Sequence, residues 1–169
     1  MTTLWRTTHQ SGDDVYELEI SWDDEAFTEE GTPTISVSAS VRRGDTEPRS
    51  LTAQLSIKKN EADGPDVILR IEDNEIVRMP LSDLISETQI IDRIPGWLYG
   101  GGDLMTGCLV RAGLSSVVGQ LIRCKNATRE VEWYGPRIHA IGRCLKENIG
   151  GIGMRTAWRA ATCVLKAGF

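Results

Sequence analysis

Hydrophobic and polar residues alternate through most of the first half of the chain. Tyr16, Leu18, Ile20 and Trp22 fall on one side of a run whose other side carries Glu17, Glu19 and Ser21. Ile35, Val37, Ala39 and Val41 alternate with serines, and Leu51, Ala53, Leu55 and Ile57 with Thr52, Gln54, Ser56 and Lys58. Val67, Leu69 and Ile71 alternate with Ile68, Arg70 and Glu72. A period of two sends one set into a core and leaves the other wet, as in antiparallel sheets. Turn chemistry separates the runs at Gly31-Thr32-Pro33, Arg43-Gly44-Asp45, Asp63-Gly64-Pro65 and Asp73-Asn74. Asp and Asn tolerate positive φ, so Asp73-Asn74 predicts a tight hairpin into residues 75–79. Residues 4–8 add an edge strand. The spacing suits a meander or a small sandwich.

The period changes after Pro80. Ser82 predicts the cap of a short helix over 83–89. Gly100-Gly101-Gly102-Asp103 reads as a loop ending on an N-cap for a helix from 104 to about 124. Leu114, Val117, Leu121 and Cys124 form one stripe there, and most other positions are apolar or small. A helix apolar nearly all round is a buried one. Its glycines, its hydroxyl residues and the central Arg111 disfavour a membrane span. Pro136 stands where a helix N1 proline belongs. Ile138, Ile141, Gly142, Leu145 and Ile149 follow helical spacing, with His139, Arg143 and Lys146 on another face. After Gly150-Gly151-Ile152-Gly153 a last helix runs to about 166. Its predicted apolar stripe is Met154, Ala157, Trp158, Ala161, Val164 and Leu165; its polar one is Arg155, Arg159, Thr162 and Lys166.

Composition adds a division. The 169 residues are 40% hydrophobic and 25% charged, ordinary for a globular chain able to bury a full core. Residues 1–90 carry 19 acidic and 8 basic side chains, a balance of −11; residues 91–169 carry 5 and 11, a balance of +6, and together these make the chain's −5. The second part also holds 13 of the 17 glycines and all four cysteines. The chain therefore reads as an acidic β-rich module, 1–90, and a basic, glycine-rich helical module, 91–169, which can pack as one domain. Either the halves neutralise each other, or the basic half faces an acidic partner.

Candidate chemistry is sparse. The cysteines are 16, 20 and 19 residues apart with no C-x-x-C pair. That suits neither a zinc site nor a small disulfide framework, so they read as small buried apolar residues. No apolar leader opens the chain, which makes a cytoplasmic location with reduced thiols the default. The cluster Asp23, Asp24, Glu25, Glu29 and Glu30 lacks calcium-loop spacing and reads as a solvated loop. Gly100-Gly101-Gly102 lacks the rest of a phosphate loop. Glu130 and Glu132 beside Arg129 read as a wet strand face. No cofactor or metal is implied. Nucleic acid is disfavoured: Trp97, Tyr99, Trp133, Tyr134 and Trp158 accompany the basic residues, but no recognition motif does, and the chain is acidic.

The expectation is an α+β protein: an N-terminal antiparallel sandwich or meander, then a C-terminal bundle of about three helices. The leading function is a non-catalytic cytoplasmic binding or assembly protein. Its helical half would engage a protein partner or form a homo-oligomer through His139, Arg143, Lys146, Arg155, Trp158, Arg159 and Lys166. One alternative is an effector whose basic amphipathic C-terminal helices bind or insert into an anionic membrane. The other is an enzyme using His139 and a cysteine, although Cys144 lies about 140° around the helix from His139.

Overall fold

The alternating runs become six antiparallel strands. The computed structural model describes residues 2–23, 33–60, 64–94, 104–129, 138–148 and 153–166. Strands β1 (Thr2–Ser11), β2 (Asp14–Trp22), β3 (Thr34–Arg42), β4 (Arg49–Asn60), β5 (Gly64–Ile71) and β6 (Asn74–Pro80) pair in sequence order. This is a meander in one sheet; the layer packed on it is helical rather than a second sheet. The register aligns Ile20, Val37 and Ala53 across β2 to β4, and Leu55, Leu69 and Val77 across β4 to β6. All six are buried, so the alternation in sequence became one apolar face.

The opposite face carries Thr34, Ser38, Thr52 and Ser56, hydrogen-bonded across strands at 3.0 and 3.1 Å. It is not uniformly wet. Ser21, Ser36 and Ile68 are buried there too, and Arg78 is the cross-strand neighbour of Ile68. The β5–β6 hairpin turns one residue earlier than the sequence suggests. Glu72 and Asp73 take the positive φ values, 49° and 67°, and Asn74 already pairs with Ile71. Two residues with φ > 0 make the turn whose twist matches the strands it joins.

The single short helix expected over 83–89 is instead a 3-10 turn, Leu81–Asp83, and a helix α1 (Thr88–Ile91). Gln89 accounts for the interruption. Its Oε1 accepts from the amides of Ile85 and Ser86 at 2.7 and 2.9 Å, and its Nε2 donates to the Asp83 carbonyl at 3.0 Å. One side chain thus satisfies backbone groups that a helical ladder would otherwise pair. Ser82 makes no cap.

Helices α2 (Leu104–Ala127), α3 (Ile138–Asn148) and α4 (Gly153–Lys166) complete the described elements. As expected from its composition, α2 is buried nearly all round. It lies on the apolar sheet face over β2, β3 and β4. Leu109, Leu114, Val117, Val118 and Leu121 are fully buried, and Arg111 and Arg123 are exposed. Side chains of this kind each contribute roughly 1.5–3 kcal/mol when buried. Gly113 permits the close approach: a Cβ there would lie 2.5 Å from Val37 Cγ1. Lys125 is nearly fully buried, and its Nζ donates to the Leu84 carbonyl, which holds the segment before α1 against α2. Among the described residues no helix is long and apolar enough to cross a membrane. One buried cluster takes side chains from both sides of residue 90.

The charge division resolves spatially. On the open sheet face Arg6 pairs with Glu19 and Glu17, and Arg78 with Glu75 and Asp66, so this face is largely balanced. Asp13, Asp14, Asp45, Glu47, Glu72 and Asp73 occupy the three hairpin turns, which a meander brings to one end of the sheet. The helices cover the apolar face, away from the open one.

Candidate functional site

Both C-terminal helices are crosslinked to α2. Cys108 pairs with Cys163, joining α2 to α4, and Cys124 pairs with Cys144, joining α2 to α3. This corrects the reading of the cysteines as separate buried thiols. Spacing along the chain does not encode which helix faces meet; antiparallel packing brings positions 55 residues apart within a Cα separation of 5.8 Å. No cysteine is free, so no thiol is available to pair with His139 as a nucleophile. The expectation of reduced thiols is corrected with it, since all four cysteines are paired.

The face of α4 is a second correction. Gly153, Thr156, Ala160 and Cys163 point inward; Ala157, Trp158 and Ala161, expected in the core, are exposed. Trp158 keeps 76% of its surface. Two constraints set this rotation. Cys163 must face Cys108, and Gly153 packs against Trp5 of β1, where a Cβ would lie 2.6 Å from the indole nitrogen. Small residues are what allow so close a seat. By contrast α3 follows expectation: Ile141, Gly142 and Leu145 are buried and Arg143 and Lys146 exposed.

The outward rotation of Trp158 places it on the rim of a groove of about 490 Å³ between α1, α2 and α4. Glu87, Asp92, Arg111, Ser115 and Arg159 line it, and the Cys108–Cys163 bond forms part of its wall. Arg159 is half-buried: Nη1 donates to Ser115 Oγ at 2.5 Å, and Nη2 lies 3.6 Å from Glu87 Oε1. Arg111 Nη2 lies 3.7 Å from Asp92 Oδ1, with both side chains more than half exposed. An exposed pair such as Arg111–Asp92 stabilises by about 0–1 kcal/mol at most, so Arg111 can exchange its partner for an incoming group, whereas Arg159 is held by Ser115 and Glu87. The Arg159–Glu87 pair spans the two compositional halves.

Of the residues chosen from sequence, Trp158 and Arg159 meet at this groove. Arg143 and Lys146 lie on α3 and do not line it. His139, Arg155 and Lys166 belong to α3 and α4, but their side chains lie outside the described residues. The acidic loop 24–32, the glycine triplet, Pro136, the pair Glu130 and Glu132, and the aromatics Trp97, Tyr99, Trp133 and Tyr134 also lie outside them. Sequence reasoning missed Glu87, Asp92 and Ser115, which carried no signal. It noted Arg111 only as a charge in an apolar run, the one hint that this side of α2 meets solvent.

A second depression, of about 320 Å³, lies on the open sheet face, lined by Asp23, Gln54, Lys58 and Arg70 among others. Among the described residues no cluster of three or more His, Cys, Asp or Glu is placed to hold a metal. No family model, curated protein or solved structure matches the chain.

Proposed function

We propose that the chain is a non-catalytic binding protein whose helical side self-associates through α4 and the adjoining groove. The observation that carries this is the exposed apolar strip Ala157, Trp158 and Ala161. Tryptophan and arginine dominate binding energy at protein interfaces, and here Trp158 and Arg159 are adjacent. A second copy fits the charge pattern best. The groove holds Arg111 and Arg159 against Glu87 and Asp92. A two-fold interface brings the same patch against itself, so a single-sign patch would repel its copy. A patch carrying both signs lets an arginine of one copy face a carboxylate of the other. Ala157 and Ala161, one helical turn apart, admit a close helix.

Multi-angle light scattering across a concentration series tests this. The expected result is a dimer that Trp158→Arg and Trp158→Ala convert to monomer without unfolding it. A strict monomer at every concentration, or a dimer indifferent to both substitutions, would overturn it. Flotation with anionic vesicles is the companion measurement. Vesicle binding by a monomeric protein, lost in Trp158→Ala, would reassign the strip to a membrane surface, the reading in which basic helices meet lipid.

A further inference from the structure

The two disulfides are not equivalent. Cys108–Cys163 forms part of the groove wall, with Cys108 half-buried. Cys124–Cys144 lines none of the cavities described above. Each bond joins a buried cysteine to a half-buried one, Cys144 matching Cys108. But Cys124 has the Gln120 amide 3.5 Å from its sulfur and Cys144 the Asn148 amide 3.7 Å from its own, whereas the Cys108 side opens on the groove. Thiol–disulfide exchange needs an attacking thiolate to reach one sulfur, so access sorts reducible bonds from inert ones. The groove gives that access, and Arg111, more than half exposed on its wall, presents a guanidinium that can hydrogen-bond a carboxylate of an incoming thiol locally, although Glu87 and Asp92 balance the groove's net charge.

The helices held by the two bonds also differ. Among its described side chains α4 buries Gly153, Thr156, Ala160 and Cys163, whereas α3 buries Ile141 and Leu145. Hydrophobic stabilisation follows apolar area, and glycine, threonine and alanine supply little of it. Among the described side chains, the covalent bond is therefore a larger part of what seats α4 than of what seats α3.

We propose that Cys108–Cys163 is a redox latch for α4, opened by a small carboxylate-bearing thiol of the glutathione class. The thiolate attacks the Cys108 sulfur, the Cys108–Cys163 bond breaks, and Cys163 leaves as a thiolate that takes up a proton. A second thiolate attacks the mixed disulfide on Cys108, releasing the oxidised thiol dimer and a Cys108 thiolate, which is protonated in turn. Two small thiols thus lose two electrons, and the protein disulfide gains them. With the latch open, α4 leaves α2 while Cys124–Cys144 still holds α3. Only the meaning of this step, dismantling the Trp158 strip, rests on the proposed self-association; the chemistry is independent of it.

The test titrates the oxidised full-length protein with reduced glutathione and, separately, with dithiothreitol, at dilutions where light scattering shows monomer. Alkylation and peptide mass mapping then assign each cysteine. Cys108 and Cys163 should become reactive at a roughly tenfold lower thiol concentration than Cys124 and Cys144. Amide exchange should rise across 153–166 while 138–148 stays protected. Arg111→Ala should slow the reaction with glutathione and leave that with uncharged dithiothreitol unchanged. Cys108→Ser/Cys163→Ser should show the loosened α4 with no reductant present. Both bonds opening together, Cys124–Cys144 opening first, α4 protection surviving reduction, or four reactive thiols in the untreated protein would each overturn the latch. None of these outcomes bears on whether the oxidised protein dimerises.

Discussion

Helices α3 and α4 look alike in sequence and are used in opposite ways. Each follows a glycine-containing connection, each carries apolar residues at helical spacing, and each has a basic stripe. In α3 the larger apolar residues go inward, with Ile141 and Leu145 in the core. In α4 the largest, Trp158, goes outward, and among the described residues Gly153, Thr156, Ala160 and Cys163 face inward. Amphipathic spacing names two faces but does not say which one a fixed anchor selects. In α4 the anchors are a disulfide and a glycine seated on an indole. They outweigh the roughly 1.5–3 kcal/mol that a buried aromatic side chain offers. An apolar face left outside by such constraints is then free to serve a partner.

Breaking the anchors gives the largest expected effect. The Cys108–Cys163 bond closes 55 residues and Cys124–Cys144 closes 20. Chain-entropy arguments put the loss at about 4 kcal/mol for Cys108→Ser/Cys163→Ser and about 3 kcal/mol for Cys124→Ser/Cys144→Ser, read by denaturant unfolding. The first substitution should loosen α4 in hydrogen exchange and the second α3. Next comes the core of α3 itself. Leu145→Ala should cost about 3 kcal/mol, because Leu145 is buried and the space it leaves cannot be fully refilled.

The seat of α4 is tested by Gly153→Ala. The added methyl meets Trp5 at 2.6 Å, so about 1–2 kcal/mol should be lost, with a change in the fluorescence of that indole. Trp158→Ala removes far more atoms than this and should leave monomer stability within about 0.5 kcal/mol, because the ring is exposed. Leu145→Ala tolerated and Trp158→Ala destabilising would reverse the assignment of the two helices.

The smallest effect lies on the open sheet face. Arg78 donates to Glu75 Oε1 at 2.8 Å and holds that carboxyl below its ordinary pKa of 4.5. A lowered carboxylate pKa contributes stability that is present above the ordinary value and fades as pH falls through the folded one. Arg78→Ala should therefore return the Glu75 titration, followed by carbon-13 shifts, toward 4.5, with little change in stability at neutral pH.

The sheet was the more legible half because strands expose their burial directly. Alternation placed Tyr16, Leu18, Ile20 and Trp22 on the core side, and all four are buried. Neither the β5–β6 turn nor the 80–91 segment yielded fully. In the first, Glu72 rather than Asn74 adopts positive φ; in the second, Gln89 bridges three backbone groups through space. Of the groove, Trp158 and Arg159 were chosen from sequence for a different geometry, and Glu87, Asp92 and Ser115 could not have been chosen at all. Glu87 and Asp92 flank α1 and Ser115 lies on α2, so they share a groove only because these helices pack together and α4 closes its side.

The sequence by itself determined the order of elements, the apolar face of the sheet and the burial of α2. Each of these follows from a local period whose energy is set by water. The tertiary structure decided how the cysteines pair, which way α4 faces and where the charges meet. Those depend on distances between residues far apart in the chain, and no local period carries such distances. The division into −11 and +6 is legible in the letters; that acid gathers at hairpin turns while Arg159 reaches Glu87 is a consequence of packing.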